Sequence, residues 1–317
     1  MHSTTMARLT AQAAARGSRH GLRWIVECAG SLMAAALLVA IMISTMAEQN
    51  AVDAERAAAA AGARQQLLDT TTPETWVAGY FGAPYTYPSD IHIKNAAENT
   101  DVTVQHAGWD GKPFKSPIYY GVRVTRWQPG NTRGWMVDFT HSKTITRPDE
   151  EVQLKGLIGG KDASGSARIG QLFKHMEFSH GHNMLTLNAL YRFARLGPRL
   201  SLYAGLGGGV ALPHTEIQLA DEPARTYEYQ YAGLVGQALA GVEINLPGNR
   251  VFLEYKFSLA DMHVPLSRLE TGWGVTDIWR QFGLWWRGQT PPGGTLDTRL
   301  LSHQVIGGAA VRLTGTP

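Results

Sequence analysis

Connections between strand-like segments alternate between very short and long from residue 75 onward, where eight such segments follow one another. The short connections are turns rich in proline and glycine: Gln128-Pro129-Gly130-Asn131, Leu196-Gly197-Pro198 and Leu246-Pro247-Gly248-Asn249. The long connections are polar and lie near 88–116, 144–181, 217–225 and 262–296. Barrels that cross an outer membrane have this asymmetry, with tight periplasmic turns and long extracellular loops. We therefore predict an all-β fold, an eight-stranded antiparallel up-and-down transmembrane β-barrel over 74–317, in the outer membrane.

Residue parity supports this prediction, because side chains alternate between the two faces of a strand. Over 135–143, Trp135, Val137 and Phe139 share one face, whereas Asp138 and Thr140 share the other. A mean hydropathy of −0.17 suits such half-apolar strands. The polar face of five segments carries Arg123, Asp138, Asn188, Arg192, Glu254, Lys256 and Arg312. We expect these groups to pair inside a narrow, filled lumen. Alternation weakens near 233–241, where we predict a β-bulge.

The first 47 residues differ from the rest of the chain. Residues 1–24 are basic and free of acidic side chains, and 29–46 are almost entirely apolar. Small residues end this run at Ser44-Thr45-Met46-Ala47, which predicts a signal peptide over 1–47. The alternative is an uncleaved helix, since the apolar run is long enough to span a bilayer. Residues 48–73 are predicted to be an Ala-rich periplasmic tether or helix.

The leader also explains the formal charge of +3. It holds four arginines and one glutamate, and the remaining chain holds 25 basic and 25 acidic side chains. The basic balance is therefore no sign of nucleic-acid binding, and we expect none. Cys28 is the only cysteine, which excludes an intramolecular disulfide.

Most histidines of the predicted barrel fall at its outer rim, if the first strand runs outward. They are His92, His106, His141, His175, His180, His182, His214 and His263. His180 and His182 are two residues apart, so on an extended chain they point the same way. Two such imidazoles with neighbouring carboxylates are typical ligands of a divalent metal. The alternative is loop histidines that bond the backbone or bind lipid phosphate when protonated.

The last long connection is rich in tryptophan. Ile278, Phe282, Trp285 and Trp286 recur at helical spacing, and Trp273 and Trp279 lie among them. One reading is an amphipathic segment lying on the membrane, where interfacial Trp is favoured. The other is a loop that folds over the barrel mouth and buries these rings there.

Seven short stretches form an ordered set over about 75–313. They are Ser116–Gly121, Asp138–Lys143, Glu177–Asn183, Leu212–Glu216, Thr226–Gln230, Glu254–Lys256 and Gly294–Thr298. This set resembles the outer-membrane lipid A oxidase family of Gram-negative bacteria. The resemblance implies oxygen-dependent oxidation of the proximal glucosamine of lipid A to an aminogluconate, with release of hydrogen peroxide. It also implies lipopolysaccharide and the barrel-assembly machinery as partners. The chain departs from the family in its Trp-rich segment near 265–290 and in lacking a C-terminal aromatic residue.

The rim residues supply the candidate site for this chemistry, with a divalent metal ion as cofactor and dioxygen as co-substrate. The catalytic candidates are His141, His180, His182, His214 and Glu228. The candidate metal ligands are His180, His182, His214 and Glu216. The candidate substrate contacts are Asn183, Tyr229, Lys143 and Asp297.

Two other functions are compatible with the same pattern. One is a deacylase built on Ser142 with His141 or on Ser179 with His180, although sequence neighbours on a strand point to opposite faces. The other is a barrel that binds or stabilises the membrane without catalysis, since a fold does not imply a function.

Overall fold

The computed structural model describes residues 72–197 and 199–314. The predicted signal peptide and nearly all of the predicted tether lie outside the described residues. The strands are β1 (Glu74–Thr86), β2 (Ser89–Asn95), β3 (Thr100–Ala107), β4 (Trp109–Asp110), β5 (Tyr120–Trp127), β6 (Arg133–Thr146), β7 (Glu151–Ile158), β8 (Lys161–Asp162), β9 (Gly165–Arg168), β10 (Phe173–Leu196), β11 (Leu200–Ala211), β12 (His214–Leu219), β13 (Thr226–Tyr229), β14 (Gly233–Leu246), β15 (Asn249–Pro265) and β16 (Thr295–Thr314). The helices are α1 (Ile169–Leu172) and α2 (Gly274–Trp286), with a 3-10 turn at Ala96–Glu98.

Eight antiparallel strands form a closed ring. Their order is β1-β5-β6-β10-β11-β14-β15-β16, and β16 pairs with β1 to close it. The three predicted turns join β5 to β6, β10 to β11 and β14 to β15. The number of ring strands, their antiparallel order and the alternation of connection lengths are therefore confirmed.

The long connections are more ordered than the predicted polar loops. Strands β2, β3, β7 and β8 continue the sheet outward from β16, and the hairpin of β12 and β13 pairs with β10. The physical reason lies in two overlong strands, β10 with 24 residues and β16 with 20. Their ends beyond the ring expose backbone N–H and C=O groups, which the connecting segments satisfy by pairing.

The ring interior is filled by paired charges, as the sequence predicts. Arg123 donates to Glu254 at 2.9 Å, Lys256 pairs with Asp138, and Arg192 pairs with Glu243. The Tyr80 hydroxyl donates to Asp138 at 2.8 Å. A cavity lined by Trp76, Arg123, Trp127 and other interior side chains measures about 20 Å³, enough for roughly one water molecule. This part of the lumen is a packed plug.

The predicted bulge near 233–241 is wrong. Strand β14 pairs with β11 and with β15 without a shift of register. Alternation weakens there because outward positions hold Gly236, Ala238 and Ala240, which are too small to mark a face. A register shift occurs instead in β10, between Phe178 and His182 against β6.

The outer surface of the ring is apolar. Among the side chains that face outward, Leu187 is 59% exposed and Leu206 is 70% exposed. We call this surface the apolar band, and it includes Phe81, Val122, Leu187, Tyr191, Phe193, Leu206, Leu234 and Val311. The ring thus has charged groups inside and apolar groups outside, the reverse of a water-soluble sandwich.

Candidate functional site

The register shift in β10 shapes the candidate site. Phe178 pairs with Thr144 and His182 pairs with Ser142, so three residues of β10 lie opposite a single residue of β6. Gly181 at their centre has φ +142°, a conformation that other residues rarely adopt. The predicted common direction of His180 and His182 assumes a regular strand, which this bulge interrupts. His180 is half-exposed, whereas His182 is 1% exposed and packs against Phe178.

Residues from four parts of the chain meet beyond the apolar band, at the ends of β5, β6 and β10 and at the β12–β13 hairpin. We call them the rim patch: Tyr120, His141, Lys143, His180, Asn183, His214, Glu216, Tyr227 and Tyr229. Asn183 hydrogen-bonds Nδ1 of His141 at 2.8 Å, and Tyr120 stacks on that imidazole at 4.8 Å. Lys143 donates to the Lys115 carbonyl at 2.7 Å.

The hairpin supplies one face to this patch. His214 pairs with Tyr229 and Glu216 pairs with Tyr227, so all four side chains lie on the same side of the hairpin. The imidazole of His214 packs edge-on against both tyrosine rings, at 4.4 Å and 4.6 Å. The ring centroid of His180 lies 5.2 Å from that of His214.

His214 is buried, and its Nδ1 has no hydrogen-bond partner. Burial, helped by the nearby His180, lowers the pKa of His214 to about 4. The imidazole is therefore neutral at neutral pH. A Cβ added to Gly272 would lie 3.7 Å from Nε2 of His214, so that glycine borders the second ring nitrogen.

Glu216 lies close to several imidazole and carboxylate groups. His175, Glu177 and Glu216 offer ligand atoms within 4.8 Å of one another. Nδ1 of His180 lies 3.7 Å from Oε2 of Glu216. Arg225 donates to Oε1 of Glu216 at 2.8 Å, which neutralises the buried carboxylate.

Three predicted site residues lie elsewhere. Glu228 faces the other side of the hairpin, where Gln230 and Arg280 donate to it. Asp297 belongs to β16, four strands away from β10 in the ring. There it accepts a hydrogen bond from His263 at 2.5 Å and is in register with His92. The third is His182, which is buried and which the bulge separates from His180.

The bulge changes the geometry on which the argument against a serine nucleophile was based. Ser179 and His180 are sequence neighbours, yet the bulge brings Ser179 Oγ within 3.3 Å of His180 Nδ1. Glu216 approaches the same nitrogen. A relay needs the serine and the carboxylate on different ring nitrogens, so this arrangement does not form one.

Sequence reasoning missed the contributions of His175, Glu177, Arg225 and Tyr227. Glu177 and Glu216 are directly opposite one another on β10 and β12. The available signal was the high density of histidine and glutamate over 175–183. These residues form a cluster with Glu216 only because β12 pairs with β10, which the local sequence does not show.

Helix α2 lies beside the patch. Its rings point outward rather than into the barrel mouth: Trp279, Trp285 and Trp286 are 67–76% exposed, and Trp273, just before the helix, is 78% exposed. The helical spacing is therefore confirmed, and the reading in which the mouth buries these rings is wrong. Within the described part of the chain, no helix is long and apolar enough to cross a membrane.

Comparison with known proteins gives structural neighbours only. No family model and no curated protein matches the chain. The outer membrane protease OmpT from Escherichia coli is 9% identical, with 76% of this chain and 97% of that chain covered and a TM-score of 0.37. Neisserial surface protein A is 9% identical, covering 75% and 97%, with a TM-score of 0.33. The attachment invasion locus protein Ail of Yersinia pestis is 12% identical, covering 76% and 99%, with a TM-score of 0.30. Similarity of this size assigns neither a family nor an activity, so the resemblance to lipid A oxidases stays a prediction.

Proposed function

We propose that this chain is an outer-membrane enzyme that acts on the headgroup of lipid A, and that it oxidises the proximal glucosamine with dioxygen. The observation that carries the proposal is the rim patch, in which His180, His214 and Glu216 meet two tyrosine rings beyond the apolar band. Groups at that level face the headgroups of the outer leaflet rather than its acyl chains.

The ring itself supports a membrane location. Its outer surface is apolar and its inner charges are paired, which is the polarity of a barrel in lipid. Seven of the eight ring strands have at least 12 residues, and a tilted strand needs about 9–11 to span the hydrocarbon core. The cavity of about 20 Å³ among the interior side chains argues against solute passage as the function.

A divalent metal fits the donor set that Glu216 of the rim patch forms with two neighbouring residues of β10. His175, Glu177 and Glu216 would hold it, since imidazole and carboxylate are ligands for redox-active transition metals. Such an ion would supply the redox centre that amino-acid side chains lack. This set keeps Glu216 from the sequence prediction and replaces His180, His182 and His214 with His175 and Glu177.

The remaining patch residues would bind and orient the sugar. Tyr227 and Tyr229 offer ring surfaces on either side of His214. His180, in contact with Glu216, would accept the proton of the anomeric hydroxyl. The sugar loses two electrons and two protons to become a lactone, and dioxygen gains them to become hydrogen peroxide. Water then opens the lactone to the aminogluconate.

The test is mass spectrometry of lipid A from cells with and without the chain. Expression should add a product heavier by one oxygen atom, and rigorous chelation should abolish it. Glu216→Gln should also abolish it, because the substitution removes a ligand charge at nearly constant shape. His92→Ala is the matched control, since it removes a rim imidazole on β2, five strands from β10 along the sheet, and should leave the product intact. Unchanged lipid A would refute the activity, and full activity after chelation would refute the metal.

A second candidate is a barrel that binds lipid A without changing it. The observation in its favour is that Arg225 already neutralises Glu216, so the carboxylate needs no metal for its stability. Co-purification of unmodified lipid A, lost on Arg225→Gln, would support this candidate.

A further inference from the structure

We propose that helix α2 is a membrane-interface anchor that lies in the outer leaflet beside the barrel, with its apolar face among lipid acyl chains. The inference rests on the membrane placement of the proposed function and is independent of its chemistry. It concerns a surface to which the predicted reaction assigns no role.

The polar face of the helix is fixed to the protein. Asp277 is 1% exposed and accepts hydrogen bonds from the Tyr229 backbone N–H at 3.1 Å and from the Thr271 hydroxyl at 2.5 Å. Arg280 pairs with the buried Glu228. Gln281 bonds both backbone groups of Tyr231, accepting from its N–H and donating to its carbonyl, each at 2.8 Å. These bonds set the rotation of the helix about its own axis.

The opposite face carries only apolar side chains. Val275, Trp279, Phe282 and Trp286 recur at intervals of four, three and four residues, which places them in one stripe. All four are exposed. The charged residues of the helix, Asp277 and Arg280, both lie on the fixed face. A water-soluble protein would turn this helix the other way, with its aromatic rings in the core.

The position of the helix identifies what covers this face. Tyr231, to which Gln281 is bonded, is itself exposed and leads into β14, where Leu234 belongs to the apolar band. The apolar stripe therefore continues the lipid-facing surface of the ring at its outer end. Tryptophan is the residue favoured at that depth, since it has an apolar body and one N–H for the wet side. The occupant is the upper acyl region of the outer leaflet.

Site-directed fluorescence tests this inference. Single cysteines would be introduced at Phe282, at Leu187 of the apolar band and at Lys161 of β8, in a Cys28→Ser background. Each would carry a nitrobenzoxadiazole label, with the full chain reconstituted in phosphatidylcholine vesicles with or without brominated acyl chains. Phe282→Cys should lose at least about half of its emission to brominated lipid, as expected of a ring about 5–10 Å into the headgroup and acyl boundary. Leu187→Cys should be quenched as well, and Lys161→Cys should not.

The outcomes separate this inference from the proposed function. Quenching of Leu187→Cys without quenching of Phe282→Cys would overturn the anchor and leave the barrel in the membrane. In that case, quenching of Phe282→Cys by aqueous iodide would show a helix in water, and resistance to both quenchers would show a face covered by a second copy of the chain. If Leu187→Cys also escaped brominated lipid, the membrane placement would fail and the anchor with it. Phe282 and Leu187 are exposed, so neither substitution disturbs the packed core.

Discussion

The ring interior and the rim patch both contain many ionisable side chains, but these are paired in the interior and partly unpaired or exposed in the patch. Inside the ring, Asp138 is fully buried and receives Lys256 and the Tyr80 hydroxyl, and Glu254 receives Arg123. In the rim patch, His214 has an unpartnered ring nitrogen and His180 is half-exposed. Pairing of this kind stabilises a plug, whereas a half-exposed imidazole such as that of His180 is available to a ligand.

Charged residues on a strand face are therefore not by themselves evidence of a functional site. Charged residues on a strand face are numerous in the ring, and they serve the structure because they pair with one another inside it. The groups that a ligand could reach are fewer, and they lie where the strands extend beyond the ring.

The largest expected effect is on folding, from Asp138→Ala. This substitution leaves the Lys256 ammonium buried without its partner, and breaking such a pair costs about 3–5 kcal/mol. We expect that loss in the free energy of unfolding, measured by denaturant titration in detergent micelles. The double variant Asp138→Leu with Lys256→Met is the control and should recover most of it, because it removes both charges. A single variant as stable as the parent would contradict the paired plug.

A smaller effect is expected from Asp277→Ala. The change leaves the Tyr229 N–H and the Thr271 hydroxyl without their acceptor, at a cost of about 1–3 kcal/mol for buried groups. The cost should appear as local loosening of α2, seen as faster proteolysis between 266 and 294 with the ring intact. Thr276→Ala, at an exposed position of the same helix, should leave the digestion rate unchanged.

The smallest effect on stability is expected from Arg225→Gln. The arginine side chain is 29% exposed, and His175 and His180 each approach the same carboxylate to 3.7 Å, so the loss should be only about 0–1 kcal/mol. The same change removes the cation that competes for Glu216, so we expect tighter binding of a divalent metal, measured by calorimetric titration of the purified barrel. Weaker binding, or none in either protein, would argue that Glu216 serves the fold alone.

The ring was predictable because it depends on local signals. Turn residues such as Pro129 and Gly130 and the alternation over 135–143 are properties of short stretches, and they fix strand number and facing. The rim patch depends on long-range register, since Glu177 meets Glu216 only when β12 folds back on β10. The bulge at Gly181 separates His180 from His182, and spacing alone cannot reveal it.

Helix α2 shows the same limit. Its periodicity is visible in the sequence, but the direction in which the apolar stripe faces is decided by partners far along the chain. Asp277 bonds Tyr229 and Arg280 pairs with Glu228, about 50 residues away. A hydrophobic stripe ordinarily predicts a buried face, and here the polar groups hold the helix instead.

Two histidines that are two residues apart in β10 can show whether the chemistry belongs to the rim patch. Lipid A would be analysed by mass spectrometry from cells producing the parent chain, His180→Ala or His182→Leu, at matched levels of folded barrel. We predict that His180→Ala lowers the oxidised product about 10²–10⁴-fold, as the loss of a general base does, while His182→Leu retains it. Loss of the product in His182→Leu together with its retention in His180→Ala would contradict the assignment of chemistry to the rim patch.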